Sequence, residues 1–219
     1  MNLDYHIAVP HLTPTKEELE WAQNELLPHA EVALEKLFEK YGAKFDKANM
    51  DQEIFANSPI GNRMKDHLEE LGLSFRRFCL FIGYKGAHAA KPHCDAHKFD
   101  IPMIARLNVP IQGITGAKIS WWPTGTDDPK MLERRFEQWN SKTQKMERGF
   151  SYLADPDADW GEPIHVESDP GPCWNHVDKA HKLDLDDIQE HRVNITVELD
   201  PQISWIELVE RLDKRGYLV

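Results

Sequence analysis

From Arg192 to Leu199 the chain alternates without a break. Val193, Ile195, Val197 and Leu199 fall on one side, and Arg192, Asn194, Thr196 and Glu198 fall on the other. In a strand, successive side chains point to opposite faces, so this segment has one apolar face and one polar face. Such a strand belongs to a sheet packed on a core on one side only, and its polar side is free to line a mouth or lumen. Ile101–Gln112 follows the same rule: Ala105, Leu107, Val109 and Ile111 share one face, Ile104, Arg106 and Asn108 the other. Phe75–Tyr84, Gly116–Trp122, Gly149–Leu153, Pro163–Glu167 and Cys173–Val177 are further strand candidates, rich in aromatic and branched residues. The charged stretch Asp127–Asn140 reads as an inserted helix or loop.

The first part of the chain has helical character instead. Thr15-Lys16-Glu17-Glu18 fits a capping box. Trp21, Leu26, Leu27, Ala30, Leu34, Leu37 and Phe38 then recur at roughly helical spacing, with Pro28 expected to kink the run and Gly42 suited to its end. A second helix is expected from Ser58-Pro59 to near Gly72. Ser204-Trp205-Ile206-Glu207 is another capping-box pattern, opening a short helix that ends near Gly216. Helices first and then about eight short strands predict an α+β fold, with a double-sheet jelly roll, cupin-like, as its core. The expected organisation is a single domain over 1–219. It comprises a mainly helical part, 1–74, a β core, 75–200, carrying an insertion at 123–162, and a C-terminal helix in 201–219.

A chain of 219 residues with 41% hydrophobic residues can bury a core without staples. A net charge of −11 gives no footprint for nucleic acid. No apolar run approaches a membrane span, and no basic and apolar leader opens the chain. Cys79, Cys94 and Cys173 form no CxxC pair, and an odd count suits reduced thiols, so a cytoplasmic location is expected.

The residues that carry chemistry lie far apart. His93-Cys94-Asp95 places two ligands on one face of an extended segment, with Cys94 pointing away. His181 follows much later, and Arg192 stands eleven residues beyond it (192 − 181). Two imidazoles and one carboxylate can occupy one face of iron(II) and leave the opposite face open; zinc is able to use the same ligands. His176 is the alternative distal ligand. His93 and His97 are spaced as in zinc proteases, but Cys94 stands where that motif needs glutamate.

Tyr84–Asp95, Arg106-Leu107-Asn108-Val109-Pro110 and Gly171-Pro172-Cys173-Trp174-Asn175, taken with His181 and Arg192, resemble the 2-oxoglutarate- and iron(II)-dependent oxygenases from Phe75 to Leu199. At branch level the likeness is to the aspartyl/asparaginyl β-hydroxylase-like or prolyl-hydroxylase-like members. The family's spacing between distal histidine and arginine favours His181 over His176. The resemblance implies a double-stranded β-helix with iron(II) held by His93, Asp95 and His181, and with 2-oxoglutarate and O₂ as co-substrates. It further implies that Arg192 receives the distal carboxylate of 2-oxoglutarate, helped by Asn108, Asn194, Thr196 and Tyr84. Arg106 is a candidate contact to the prime substrate, with a structural salt bridge as the alternative. Asp95 speaks against a halogenase, in which the carboxylate is replaced to admit halide. The implied reaction hydroxylates a C–H bond of an amino-acid side chain, a peptide or a small metabolite. A non-catalytic cupin-like binding protein and a metal-dependent isomerase or hydrolase are the other classes this scaffold admits.

Overall fold

The computed structural model describes residues 3–28, 31–32, 35, 47–49, 55–83, 91–98, 103–140, 145–155, 157–200 and 202–218. The Gly42 helix end and Tyr84 lie outside them. The regular structure of the described residues is mainly antiparallel β, in two six-stranded sheets. The first sheet holds β1 (His6–Ala8), β10 (Cys173–His176), β5 (Ala105–Gln112), β12 (Arg192–Leu199), β3 (Phe75–Gly83) and β2 (Lys47–Asn49), in that spatial order. The second holds β7 (Met131–Asn140), β8 (Lys145–Ala154), β4 (His93–Lys98), β11 (Lys179–Asp184), β6 (Lys118–Gly125) and β9 (His165–Ser168).

The alternation read in the sequence decides how the first sheet packs. Val193, Ile195, Val197 and Leu199 of β12 join Phe78, Leu80 and Ile82 of β3 and Ala105, Leu107, Val109 and Ile111 of β5 in one buried apolar cluster. Three helices contribute to that cluster. They are α1 (Lys16–Trp21), α2 (Pro59–Glu70) and α3 (Trp205–Lys214), through residues such as Leu19, Ile60, Met64, Leu68, Leu208 and Leu212. The greasy core therefore lies between the first sheet and the helices. The opposite face of that sheet, with Arg192, Asn194 and Thr196, is polar yet buried.

Local chemistry sets the helix ends. Thr15 Oγ1 accepts from Glu18 N while Glu18 accepts from Thr15 N, completing the box. Glu18 is buried and also takes two bonds from Arg63 at 2.8 and 2.7 Å. The helix then loosens into a π-type stretch, Ala22–Leu26, ahead of the kink expected at Pro28. Ser58 caps α2 by accepting from Gly61 N, with Pro59 in the first turn. Any side chain at position 61 would overlap Phe55 O, so only glycine fits there. At α3, Ser204 accepts from Glu207 N, but the Glu207 carboxylate turns to Arg211, so the reciprocal half of that box is not made.

Two stretches differ from the sequence reading. Met131–Asn140 is a strand, paired along its length with β8, rather than a helix or loop. Alternate positions Glu133, Arg135 and Glu137 are exposed, so no apolar period marks it. The second is β11. Lys179–Asp184 carries His181 on a strand of its own, and that segment shows no clean apolar alternation either.

Behind β10, Trp174 Nε1 donates to His67 Nε2 at 3.3 Å. His67 therefore carries its proton on Nδ1 and gives it to His11 Nε2, 3.0 Å away. Burial first, and the neighbouring His11 second, push His67 down to about 4. Its unfolded value is near 6.5, so the unfolded chain binds more protons between these values and stability falls as pH drops through that window. The loss is at most about 3 kcal/mol. Urea unfolding at pH 7 and pH 4.5 is expected to show a clearly smaller acid loss for His67→Leu than for the wild type. Equal losses would contradict the neutral relay.

Candidate metal centre

His93 and Asp95 point to the same side of β4 because they are two residues apart. Cys94, between them, is buried on the opposite side with Trp122, Met131 and Ala180. Strand β11 pairs with β4 so that His181 lies directly opposite His93, and the two imidazole centroids are 4.5 Å apart. One ligand atom from each of His93, Asp95 and His181 lies within 4.8 Å of the others. Donors on one face of an ion, each about 2.1 Å from it, stand about 3 Å apart, so a closure of up to about 1.8 Å completes the cage.

Each of the three ligands is tied at its other end. His93 Nδ1 donates to Lys91 O at 3.0 Å, and His181 Nδ1 donates to Lys179 O at 2.9 Å. Both rings thus keep the proton on Nδ1 and offer a bare Nε2 to the site. The pairing of β11 with β6 shifts register between Lys179 and His181. Asp95 is fixed by backbone, its N–H donating to Val177 O at 2.8 Å, and by side chain, its Oδ2 lying 3.1 Å from Arg106 Nη1. That contact is an ion pair without hydrogen-bond alignment. Burial, and His93 beside it, hold the His181 imidazole down to about 4, so it is neutral and able to ligate at pH 7. This donor set fits iron(II), the ion most associated with two histidines and one carboxylate on a single face.

His176 is elsewhere. Its Nδ1 meets Asp4 O and its Nε2 meets Asp178 Oδ1, both at 2.7 Å, and its ring stacks on Trp205. Arg106, read as a substrate contact, instead sits against Asp95, the salt-bridge alternative of the sequence reading.

Strand register orders the inner face of the first sheet into rungs. Arg106 lies across from Asn175, and Asn175 from His6. One rung further, Asn108 lies across from Cys173 on one side and Thr196 on the other. The next rung sets Asn194 against Pro110 and Phe81, and the one after sets Arg192 against Gly83. The Arg106–Asp95 contact and the His6–Trp121 ring contact, 5.9 Å between centroids, show that this face looks onto the second sheet. Arg192, Asn194, Thr196 and Asn108 therefore line one strip of the inter-sheet space, with Arg106 and the ion ligands at one end and Arg192 at the other.

Arg192 is 1% exposed. Its Nη1 and Nη2 meet only the carbonyls of Gly113 and Pro170, at 3.4 and 3.2 Å, and its Nε has no partner. Among the described residues no carboxylate pairs with it. Burial lowers the guanidinium to about 10, still charged at neutral pH. Cys173 gives no counter-charge, because burial pushes its thiol up to about 12. A buried cation with carbonyls alone around it is costly without a counter-charge. On the same strip, Asn194 Oδ1 is buried without a hydrogen-bond partner, and Thr196 Oγ1 donates weakly to Cys79 O at 3.5 Å.

Trp121 was not singled out by the sequence. It is fully buried and lies across from His181 on one side and His165 on the other, one strand from the candidate ligands. Its Nε1 donates to His176 O at 3.3 Å. Only its place in an apolar Ile-Ser-Trp-Trp run hinted at burial, and nothing local chose between the adjacent tryptophans.

No family model matches this chain, and no curated protein matches it. Among solved structures, a non-heme monooxygenase described as a ThoJ–nickel complex aligns with a TM-score of 0.44 at 13% identity, covering 90% of this chain and 74% of that one. A non-heme alpha-ketoglutarate-dependent carbocyclase, SnoK from nogalamycin biosynthesis, aligns at 0.35 and 10% identity over 88% of this chain and 86% of that one. A viral collagen prolyl hydroxylase from Paramecium bursaria Chlorella virus-1 aligns at 0.26 and 10% identity over 78% and 84%. Scores this low decide nothing about the present chain. The case for its chemistry rests on its own residues. Among the described residues, no helix is long and apolar enough to cross a membrane.

Proposed function

We propose that this chain is an iron(II)- and 2-oxoglutarate-dependent oxygenase. In this reading strands β3 to β6 and β9 to β12 form a double-stranded β-helix, passing between the two sheets in the order such a core requires. The observation that carries the proposal is the pairing of two incomplete sites on facing sheets. Three ligands gather on one sheet, and a buried guanidinium without a counter-charge stands on the other.

His93, Asp95 and His181 hold the ion and leave its remaining positions open. Arg192 offers a planar fork to the distal carboxylate of 2-oxoglutarate, in place of the water it has lost. Asn194, Thr196 and Asn108 line the path between and orient the co-substrate. Iron(II), when bound, supplies O₂ activation coupled to oxidative decarboxylation of 2-oxoglutarate to succinate and CO₂, and so hydroxylation of a C–H bond. Trp121 excludes water from the His181 side. The prime substrate in this reading is an amino-acid side chain, a peptide or a small metabolite.

Iron(II) and 2-oxoglutarate mixed with the protein without air are expected to give a weak visible charge-transfer band. Admitting air should bleach it and release succinate. Iron bound by the protein with neither band nor succinate would contradict the proposal and leave a metal-binding module.

A further inference from the structure

The two histidine ligands are steered by backbone carbonyls, whereas Asp95 is steered by a side chain. Arg106 Nη1 stands 3.1 Å from Asp95 Oδ2, and only 18% and 12% of the two side chains are exposed. Asp95 is Arg106's one ion-pair partner among the described residues. Its Nη2 reaches only Met103 Sδ, at 3.6 Å, and its Nε is buried without a partner. Arg106 projects from β5 at the position across from Asn175. A half-buried cation thus bears on one oxygen of one ligand.

We propose that Arg106 is a positioning residue for the metal centre, one that occupies Asp95 Oδ2 so that the carboxylate binds its ion through a single oxygen. The inference rests on the metal-site reading above. A free carboxylate beside a divalent ion is able to bind through both oxygens and so take a fourth position. Arg106 blocks that mode and keeps three positions open, two for a chelating oxo acid and one for O₂. The same contact offsets the buried charge of Asp95 before any ion arrives. Partners of ligands commonly control affinity and geometry in this way.

The test uses Mn(II) and the relaxation of water protons, which reports water exchanging on the bound ion. Three open positions of six become two when Asp95 binds through both oxygens, so Arg106→Met is expected to lose roughly a third of the enhancement per bound ion. Arg106→Lys, which keeps a cation beside Oδ2, is expected to stay near the wild-type value. Should Arg106→Met not fold, Arg106→Ala removes the same charge and is expected to show the same loss. Wild-type enhancement in either uncharged variant, with Mn(II) bound, would make Arg106 a structural ion pair only and overturn the proposal. A wild-type chain that binds no Mn(II) would fail earlier, at the metal centre itself.

Discussion

Alanine at Asp95 or at His181 is expected to end both iron binding and 2-oxoglutarate turnover. Loss of a residue behind a metal ligand costs about 10–100-fold in affinity, and loss of one of only three ligands exceeds that. The two substitutions differ in a useful way. Asp95→Ala strands Arg106, whose only ion-pair partner among the described residues is that carboxylate. A half-buried guanidinium without its partner destabilises the fold as well as the site. His181→Ala removes a neutral ring whose one hydrogen bond among the described residues is to Lys179 O, so it should lose metal with a smaller change in melting temperature. Titration with iron(II) or Co(II), alongside thermal melts, separates these effects. Near-normal metal affinity in His181→Ala would remove β11 from the site.

Arg192→Met is expected to weaken 2-oxoglutarate binding by about 100-fold while metal binding stays intact. Truncating one member of a buried, hydrogen-bonded charge pair costs about 2–5 kcal/mol, and every 1.4 kcal/mol is tenfold. The variant also tests why this arginine is buried. A guanidinium held by two carbonyls and facing no anion is costly in the empty protein. An apolar side chain of similar length should therefore leave the unliganded protein about as stable as wild type. What should vanish is the rise in melting temperature that wild type gains on adding 2-oxoglutarate. An Arg192→Met protein that unfolds easily, yet binds 2-oxoglutarate normally when folded, would make Arg192 a structural residue.

Much of the scaffold was legible because its signals are local. The strict alternation of β12 announced a sheet with one greasy face, and that face packs against the helices. Thr15 read as a cap because its hydroxyl, three residues before a free N–H, pairs with a glutamate that reaches back. Where the signal is not local, the reading failed. Strand β7 carries charge at its exposed positions and is held by a hairpin partner, so its composition mimics a solvated helix. The strand under His181, Lys-Ala-His-Lys-Leu-Asp, mixes polar and apolar residues on both faces because it runs through a polar interior.

The ligands were legible as types and spacings, His-x-Asp and a later histidine. Their meeting depends on His181 falling opposite His93, a register no local pattern encodes. The same limit hid the role of Arg106. Alternation put it on the inward face, but a strand of the other sheet supplies the carboxylate it meets. Trp121 illustrates the third kind of gap. Its neighbour Trp122 is just as aromatic and lies on the other side of the sheet, and only the strand pairing tells them apart.

The central claim is that His93, Asp95 and His181 hold one ion between the sheets. Anomalous scattering from a Mn(II)-soaked crystal tests it most directly. One strong peak is expected about 2.1 Å from a nitrogen of each histidine and one oxygen of Asp95. A peak elsewhere, or none there at a concentration that saturates the protein in solution, would contradict the account.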